Sequence, residues 1–468
     1  MTKNITQRKK GEKTMKISKG IARIVILVVC LLVLSTNVWA EGVEESAPPA
    51  PNSTYQFYNS TNFPHLTDPD PVYRSMTYDQ MLKLFESEGT YMILFGGAWC
   101  GNTQAVIGQM NDVVKEYGVE TIYNFHFKLD GSKFHIRDTR NESANLYVDM
   151  VNKYLTNIVT IYDKVEKGIS YVDEEGETQL ANKIQVPFLF IYNKDNVDAN
   201  GNAAPILASI ERMLRWDRDF QTDGADDAAK IETYKSEIRP LFDLVSKKSL
   251  TGKKTAQLDT YSDFDYYSTA YNGRSGETIL EEGDEPWVIQ TVSYIELNKL
   301  LESSGTYAMM FGGPWCGNTQ AVVKYVNEYA NKYNISTIYN WDTKLDSNKL
   351  QVRSSNNSHA NMYVDLVRNY FPGIETVYPL EKTSIKYTDE DGNEVVANKL
   401  QVPYIFIYNK DNLDASGNPD PILGQIEHMF RWGNIQPDFV NDDGVTGANY
   451  KAYTESLDEL CSLLPAVE

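Results

Sequence analysis

The sequence predicts an α/β protein built from two copies of one domain, each a central mixed sheet flanked by helices. Three observations carry that prediction. The stretch YMILFGGAWCGNTQAV at 91–106 returns as YAMMFGGPWCGNTQAV at 307–322, an offset of 216 positions, and nine of the thirteen positions from 91 to 103 are identical in the second copy. Apolar strand-like runs alternate with segments of helical spacing in both halves. Finally, 468 residues are too many for one ordinary core and suit two domains of about 150–200 residues each. A period above 200 rules out a solenoid.

The amino end is basic and then apolar. Residues 1–40 hold eight Lys/Arg and one Glu, with the run IVILVVCLLVL at 24–34 and small residues before Ala40. This pattern predicts a secretory signal peptide over 1–40, with Met15 as an alternative start. The run is short for a membrane span, so an uncleaved anchor is the alternative. Residues 41–71, rich in Pro, Ser, Asn and Asp, read as an exposed polar leader. The first domain is expected over 72–248, a polar linker over 249–287 and the second domain over 288–468.

Within the first copy, 78–87 has helical spacing, 91–95 is a strand, and a helix runs from the Trp-Cys motif to about Tyr117 with Val106, Met110, Val113 and Val114 on one face. Residues 121–129 alternate like a strand and end at Asp130. A helix is expected over 143–155, and a hairpin turning at Glu-Gly over 169–181. A buried strand follows within 183–195, led in by Val186-Pro187, where the proline needs no ladder donor. A closing strand over 206–210 and a terminal helix over 229–245 complete the unit. The second copy needs no gap: Asp130, Pro187, Trp216 and Tyr234 map to Asp346, Pro403, Trp432 and Tyr450.

Outside residues 1–40 the chain carries 36 basic against 63 acidic residues. Such a surface excludes nucleic acid and anionic lipid as partners of the folded part. The 31 tyrosines outnumber Phe and Trp together and are read as amphipathic packing. Cys100, Cys316 and Cys461 remain after the signal, an odd set that is no disulfide framework. The sequence lacks CxxC and HExxH patterns and its histidines are scattered, so no metal site and no metal or organic cofactor is expected. The Asn196–Gly201 and Asn412–Gly417 loops read as Asx-type turns rather than calcium loops, because Leu207 and Leu423 fall at the twelfth ligand position. Arg215-Trp216 is expected to pack, and Cys461 to be a buried apolar residue of a terminal helix.

A strand entering Trp-Cys-Gly at a helix start, with Val-Pro and an apolar strand far downstream, resembles the thioredoxin-like superfamily over most of 76–245 and 291–464. The resemblance implies catalytic roles for Cys100 and Cys316. It also implies cis prolines at Pro187 and Pro403 that bind substrate with Val186 and Val402, and motif support from Trp99, Gly101, Trp315 and Gly317. Three departures stand out. The second cysteine of the family falls on Thr103 and Thr319, so each site is WCGNT in place of WCGPC. The family's buried proton carrier falls on Leu94 and Met310. And 87 positions separate cysteine from proline, which implies a helix-plus-hairpin insertion over 143–181 before the cis-Pro strand.

A thiolate at a helix N-terminus is stabilised by free backbone N–H groups, and the hydroxyl of Thr103 or Thr319 is expected to donate to it. Such a cysteine can attack a disulfide but cannot resolve the adduct within its own site. The expected function is therefore monothiol thiol–disulfide exchange or isomerisation, outside the cytoplasm, secreted or at the cell envelope. Its partners would be exported protein thiols and disulfides or low-molecular-weight thiols, with membrane contact only through an uncleaved signal. The alternative is a non-enzymatic binding or scaffold protein on a degenerate thioredoxin fold.

Overall fold

The computed structural model describes residues 52–161, 168–245, 257–275, 278–427 and 448–464. The expected signal peptide, Cys30 and Trp432 lie outside them. The fold is α/β, with two mixed five-stranded sheets flanked by helices, as two tandem thioredoxin-like domains.

In the first copy the sheet comprises β1 (Tyr73–Met76), β2 (Tyr91–Phe95), β3 (Ile122–Phe125), β6 (Phe188–Tyr192) and β7 (Ile206–Glu211), in the order β1-β3-β2-β6-β7. β2 and β6 are buried along their whole length, as continuous apolar runs at the centre of a sheet covered on both faces require. Their antiparallel register sets Phe95 opposite Phe188. The C-terminal end of β2, which leads to Cys100, therefore lies beside the N-terminal end of β6, which follows Pro187.

Helix α1 (Tyr78–Glu86) opens on a Thr77–Gln80 capping box. Helix α2 (Gly101–Glu116) buries Val106, Met110, Val113 and Val114 against the sheet. The insertion is α3 (Ala144–Tyr154) with the hairpin β4 (Ile169–Val172) and β5 (Thr178–Ala181), turned at Gly176 with a positive φ of 86°. Helix α4 (Ala228–Asp243) starts at the Asp227 side chain, which accepts from Ala229 N and Lys230 N. Between β7 and α4 lie a short π-turn (Trp216–Phe220) and the two-residue pair β8 (Gln221–Thr222) and β9 (Ala225–Asp226).

The second copy repeats this plan. Its strands are β10 (Ile289–Thr291), β11 (Tyr307–Phe311), β12 (Ile338–Trp341), β15 (Tyr404–Tyr408) and β16 (Ile422–Glu427), with the hairpin β13 (Ser384–Thr388) and β14 (Glu394–Asn398). Helices α6 (Tyr294–Glu302), α7 (Gly317–Lys332), α8 (Ala360–Tyr370) and α9 (Ala448–Cys461) correspond to α1–α4.

Three readings of the sequence change. The strand expected over 121–129 ends at Phe125, because Asp130 takes three backbone N–H groups, from Ser132, Lys133 and Phe134, and folds 127–136 back on itself. The stretch read as an exposed leader buries Phe57, Tyr58, Phe63 and Leu66 in the first domain's core. The linker contains helix α5 (Asp263–Ser275), whose Tyr266, Tyr267 and Tyr271 are buried. Both stretches look polar by composition, but their aromatic residues do the packing.

These two segments tie the copies together reciprocally. Ser53 pairs with Thr306 of the second copy through two hydrogen bonds (2.7 and 3.1 Å). Asp259 makes the equivalent pair with Thr90 of the first copy (both 2.8 Å). Next, Tyr55 N donates to the Tyr339 hydroxyl and Tyr261 N to the Tyr123 hydroxyl, each at 2.6 Å. Each segment then returns to its own copy, with Tyr58 on Asn124 and Tyr267 on Asn340. The tyrosine excess thus goes largely into buried rings whose hydroxyls cross-link elements.

Candidate thiol site

Cys100 is the N-cap of α2. Its backbone is extended (φ −104°, ψ 111°), its N–H closes a turn onto Gly97 O at 2.9 Å, and its carbonyl accepts the first helical bond, from Gln104. The Gly96-Gly97 pair is needed for close packing. A Cβ at Gly96 would come within 2.9 Å of Thr103, and one at Gly97 would collide with the Trp99 indole. The thiol is half-buried and its Sγ faces the Val186 carbonyl at 3.6 Å. The second copy matches, with Cys316 Sγ 3.3 Å from Val402 O. Both Val-Pro bonds, Val186-Pro187 and Val402-Pro403, are cis. The residues singled out as cysteine and cis-proline partners are therefore brought together in both copies, from positions 87 apart in sequence.

The insertion braces this loop. The Tyr147 hydroxyl of α3 donates to Asn182 O (2.6 Å) and accepts from Ile184 N (2.8 Å), and Tyr363 does the same at Asn398 and Leu400. Glu211, at the end of β7, accepts from Gln185 N, adjacent to Val186, and from Ile161 N. Burial raises its carboxyl above the ordinary range. Glu427 repeats both contacts, on Gln401 and Val377.

The threonines differ from expectation. Thr103 and Thr319 are fully buried on the inner face of their helices, against Gly96 and Gly312, and among the described residues their hydroxyls have no hydrogen-bond partner. The side chain at the third position after the cysteine turns towards the sheet, so the expected bond to the sulfur is not formed.

Sequence reasoning missed two further groups. Arg137 and Arg353 are buried, each donating from Nη1 to the carbonyl of Ile184 or Leu400 in the cis-proline loop. Desolvation holds both guanidinium groups below their ordinary range, and each lies close enough to interact electrostatically with its cysteine, Cys100 or Cys316. The other group sits under the tryptophan. Trp315 Nε1 donates to Asp342 at 2.7 Å, and Asp342 also accepts from Lys344 N and the Ser347 hydroxyl, both at 2.8 Å. Burial outweighs these donors and pushes the Asp342 carboxyl up to about 7. In the first copy the same position is His126, buried and pushed down to about 4 by desolvation. Its Nε2 shares a 2.9 Å bond with Asn124, and Trp99 Nε1 has no partner among the described residues. The signal for Arg137 lay in the repeat: Arg recurs at the aligned position.

Cys461 is buried, and burial pushes its thiol up to about 12. Asp198 and Asp414 accept backbone N–H groups within their own loops, as Asx turns do. Among the described residues no cluster of His, Cys, Asp and Glu could hold a metal ion, and no helix is long and apolar enough to cross a membrane.

No family model matches the chain, and no curated protein matches it. Among solved structures it is similar to the crystal structure of ERdj5 form I, at 11% identity over 77% of this chain and 28% of that one, with a TM-score of 0.18. For ERdj5 form II the figures are 9%, 77%, 27% and 0.18. The chain spans less than a third of the length of those structures.

Proposed function

We propose that the chain is an exported monothiol exchange protein acting through Cys100 and Cys316, with WCGNT in place of a two-cysteine motif. One observation carries the reading: in each copy the cysteine at a helix N-cap position keeps a half-exposed thiol that abuts the carbonyl before a cis proline. A thiolate at a helix N-terminus is favoured by the helix dipole, and a buried guanidinium lies within electrostatic reach of each cysteine. The thiolate attacks a disulfide, one sulfur of which leaves as thiolate with the electron pair, and the protein is left as a mixed disulfide. Thr103 and Thr319 supply no second thiol, so a free thiol from solution resolves the adduct. Exported protein thiols or small disulfides, in an oxidising compartment, are the partners this chemistry suits.

Turnover tests the reading. With a small-molecule disulfide as substrate and a coupled reductant, the wild-type chain exchanges thiols catalytically. Cys100→Ser and Cys316→Ser each remove part of the rate, and the double variant removes all of it. If the double variant retains the wild-type rate, the sites are a binding scaffold only.

A further inference from the structure

The chain is strongly acidic, yet cations gather around the tryptophan and the cis-proline loop that neighbour each thiol. In the first copy Lys128 Nζ lies over the Trp99 ring, 5.1 Å from its centroid, while Lys183 and Arg137 flank the loop that carries Val186-Pro187. Arg215 Nη1 reaches within 3.5 Å of where a Cβ on Gly101 would stand, at the first residue of α2. In the second copy Lys344 lies 4.6 Å from the Trp315 centroid, with Lys399 and Arg353 in the aligned positions.

Among the described residues none of Lys128, Lys183, Arg137, Lys344, Lys399 and Arg353 makes an ion pair within 4 Å. The Nε atoms of the buried Arg137 and Arg353 have no hydrogen-bond partner either. The acids nearby are engaged elsewhere. Glu211 and Glu427 hold backbone N–H groups, Asp138 is paired with Arg140, and Asp342 is bonded to Trp315 and Ser347.

The crowding has an electrostatic signature. His135, edge-on to Trp99, is pushed down to about 4, first by burial and then by Arg137, Lys128 and Lys183. Lys183 is lowered by burial and by Arg137, and Lys399 by burial and by Arg353. Cations gathered with no ion pair within 4 Å, and with Glu211, Asp138, Glu427 and Asp342 acting on them only at longer range, mark a site shaped for an anion that arrives from solution.

We propose that Lys128, Lys183 and Arg137, with Lys344, Lys399 and Arg353 in the second copy, form an anion subsite beside each thiol for a small carboxylate-bearing disulfide. The proposal rests on the thiol-exchange reading and names its substrate class. A small anion suits the arrangement better than an acidic protein, because the surface beyond the site is acidic and repels a large acidic partner. The subsite acts over roughly a Debye length, about 8 Å at physiological salt. In the reaction the substrate S–S bond breaks and the Cys100–sulfur bond forms. The leaving thiolate takes the electron pair, and the thiol proton goes to solvent.

The experiment compares second-order rates of adduct formation at Cys100 and Cys316 with three disulfides: oxidised glutathione (anionic), hydroxyethyl disulfide (neutral) and cystamine (cationic). The proposal predicts that oxidised glutathione reacts at least about tenfold faster than cystamine at low salt, the ratio shrinking as salt screens the charges. Lys128→Gln/Lys183→Gln, at half-exposed positions, should bring the ratio at Cys100 towards one while leaving that at Cys316. Equal rates for all three, or a preference for cystamine, overturn the anion subsite but leave thiol exchange standing. Reaction with none of them overturns the exchange reading itself.

Discussion

Asp342 and His126 occupy one position in the two copies and carry opposite chemistry. A carboxyl held at about 7 in the folded chain against about 4 when unfolded keeps its proton longer in the folded state. Its contribution to stability is therefore greatest at acid pH and is lost as pH rises from about 4 through 7. Glu296, also buried and pushed up to about 7 by desolvation, acts with the same sign. Asp342→Asn, which keeps a neutral group under Trp315, should flatten part of the fall in thermal midpoint between pH 5 and 8. A slope identical to wild type would contradict the burial argument. At this scale the sequence disclosed the cysteines through the repeated motif, and the cis prolines through the resemblance to the thioredoxin-like superfamily. It hid Arg137, Arg353, Asp342 and His126, whose meaning depends on which loop folds over which strand end.

The segment before β1 packs along helix α2. Gly108 of α2 lies so close to the His65 carbonyl that any Cβ would collide with backbone. Gly108→Ala should destabilise the chain by about 1–3 kcal/mol, read as a lower urea midpoint. An unchanged midpoint would mean that 63–66 does not pack on α2. Elements with a clean period were legible: α1, α2, α3, both central strands and the insertion hairpin fall close to where their patterns put them. The 52–66 segment and α5 were not. Their apolar content is mostly aromatic, set among Asn, Ser and Asp, and no simple periodicity separates it from a solvated linker.

At the scale of the whole molecule the copies are joined by exchanged segments as well as by covalent continuity. Tyr339→Phe and Tyr123→Phe each leave one backbone N–H, of Tyr55 or Tyr261, without its acceptor. Each should cost about 1–3 kcal/mol, and each strap joins one copy to the other. Both copies should therefore still unfold in a single transition, followed by tryptophan fluorescence and circular dichroism together. Two separated transitions in wild type would contradict the mutual bracing. The duplication was legible from the 216-residue offset; the reciprocal exchange was not, since it pairs residues 138 to 284 positions apart that share no motif.

Thiol exchange requires that half-exposed Cys100 and Cys316 react and that buried Cys461 does not. Intact-mass and peptide analysis after brief exposure of the folded chain to oxidised glutathione tests it most directly. Thiol exchange at both copies gives two glutathione adducts, on Cys100 and Cys316, both removed by added thiol, and none on the buried Cys461. An unmodified chain, or an adduct on Cys461 ahead of the other two, would contradict it.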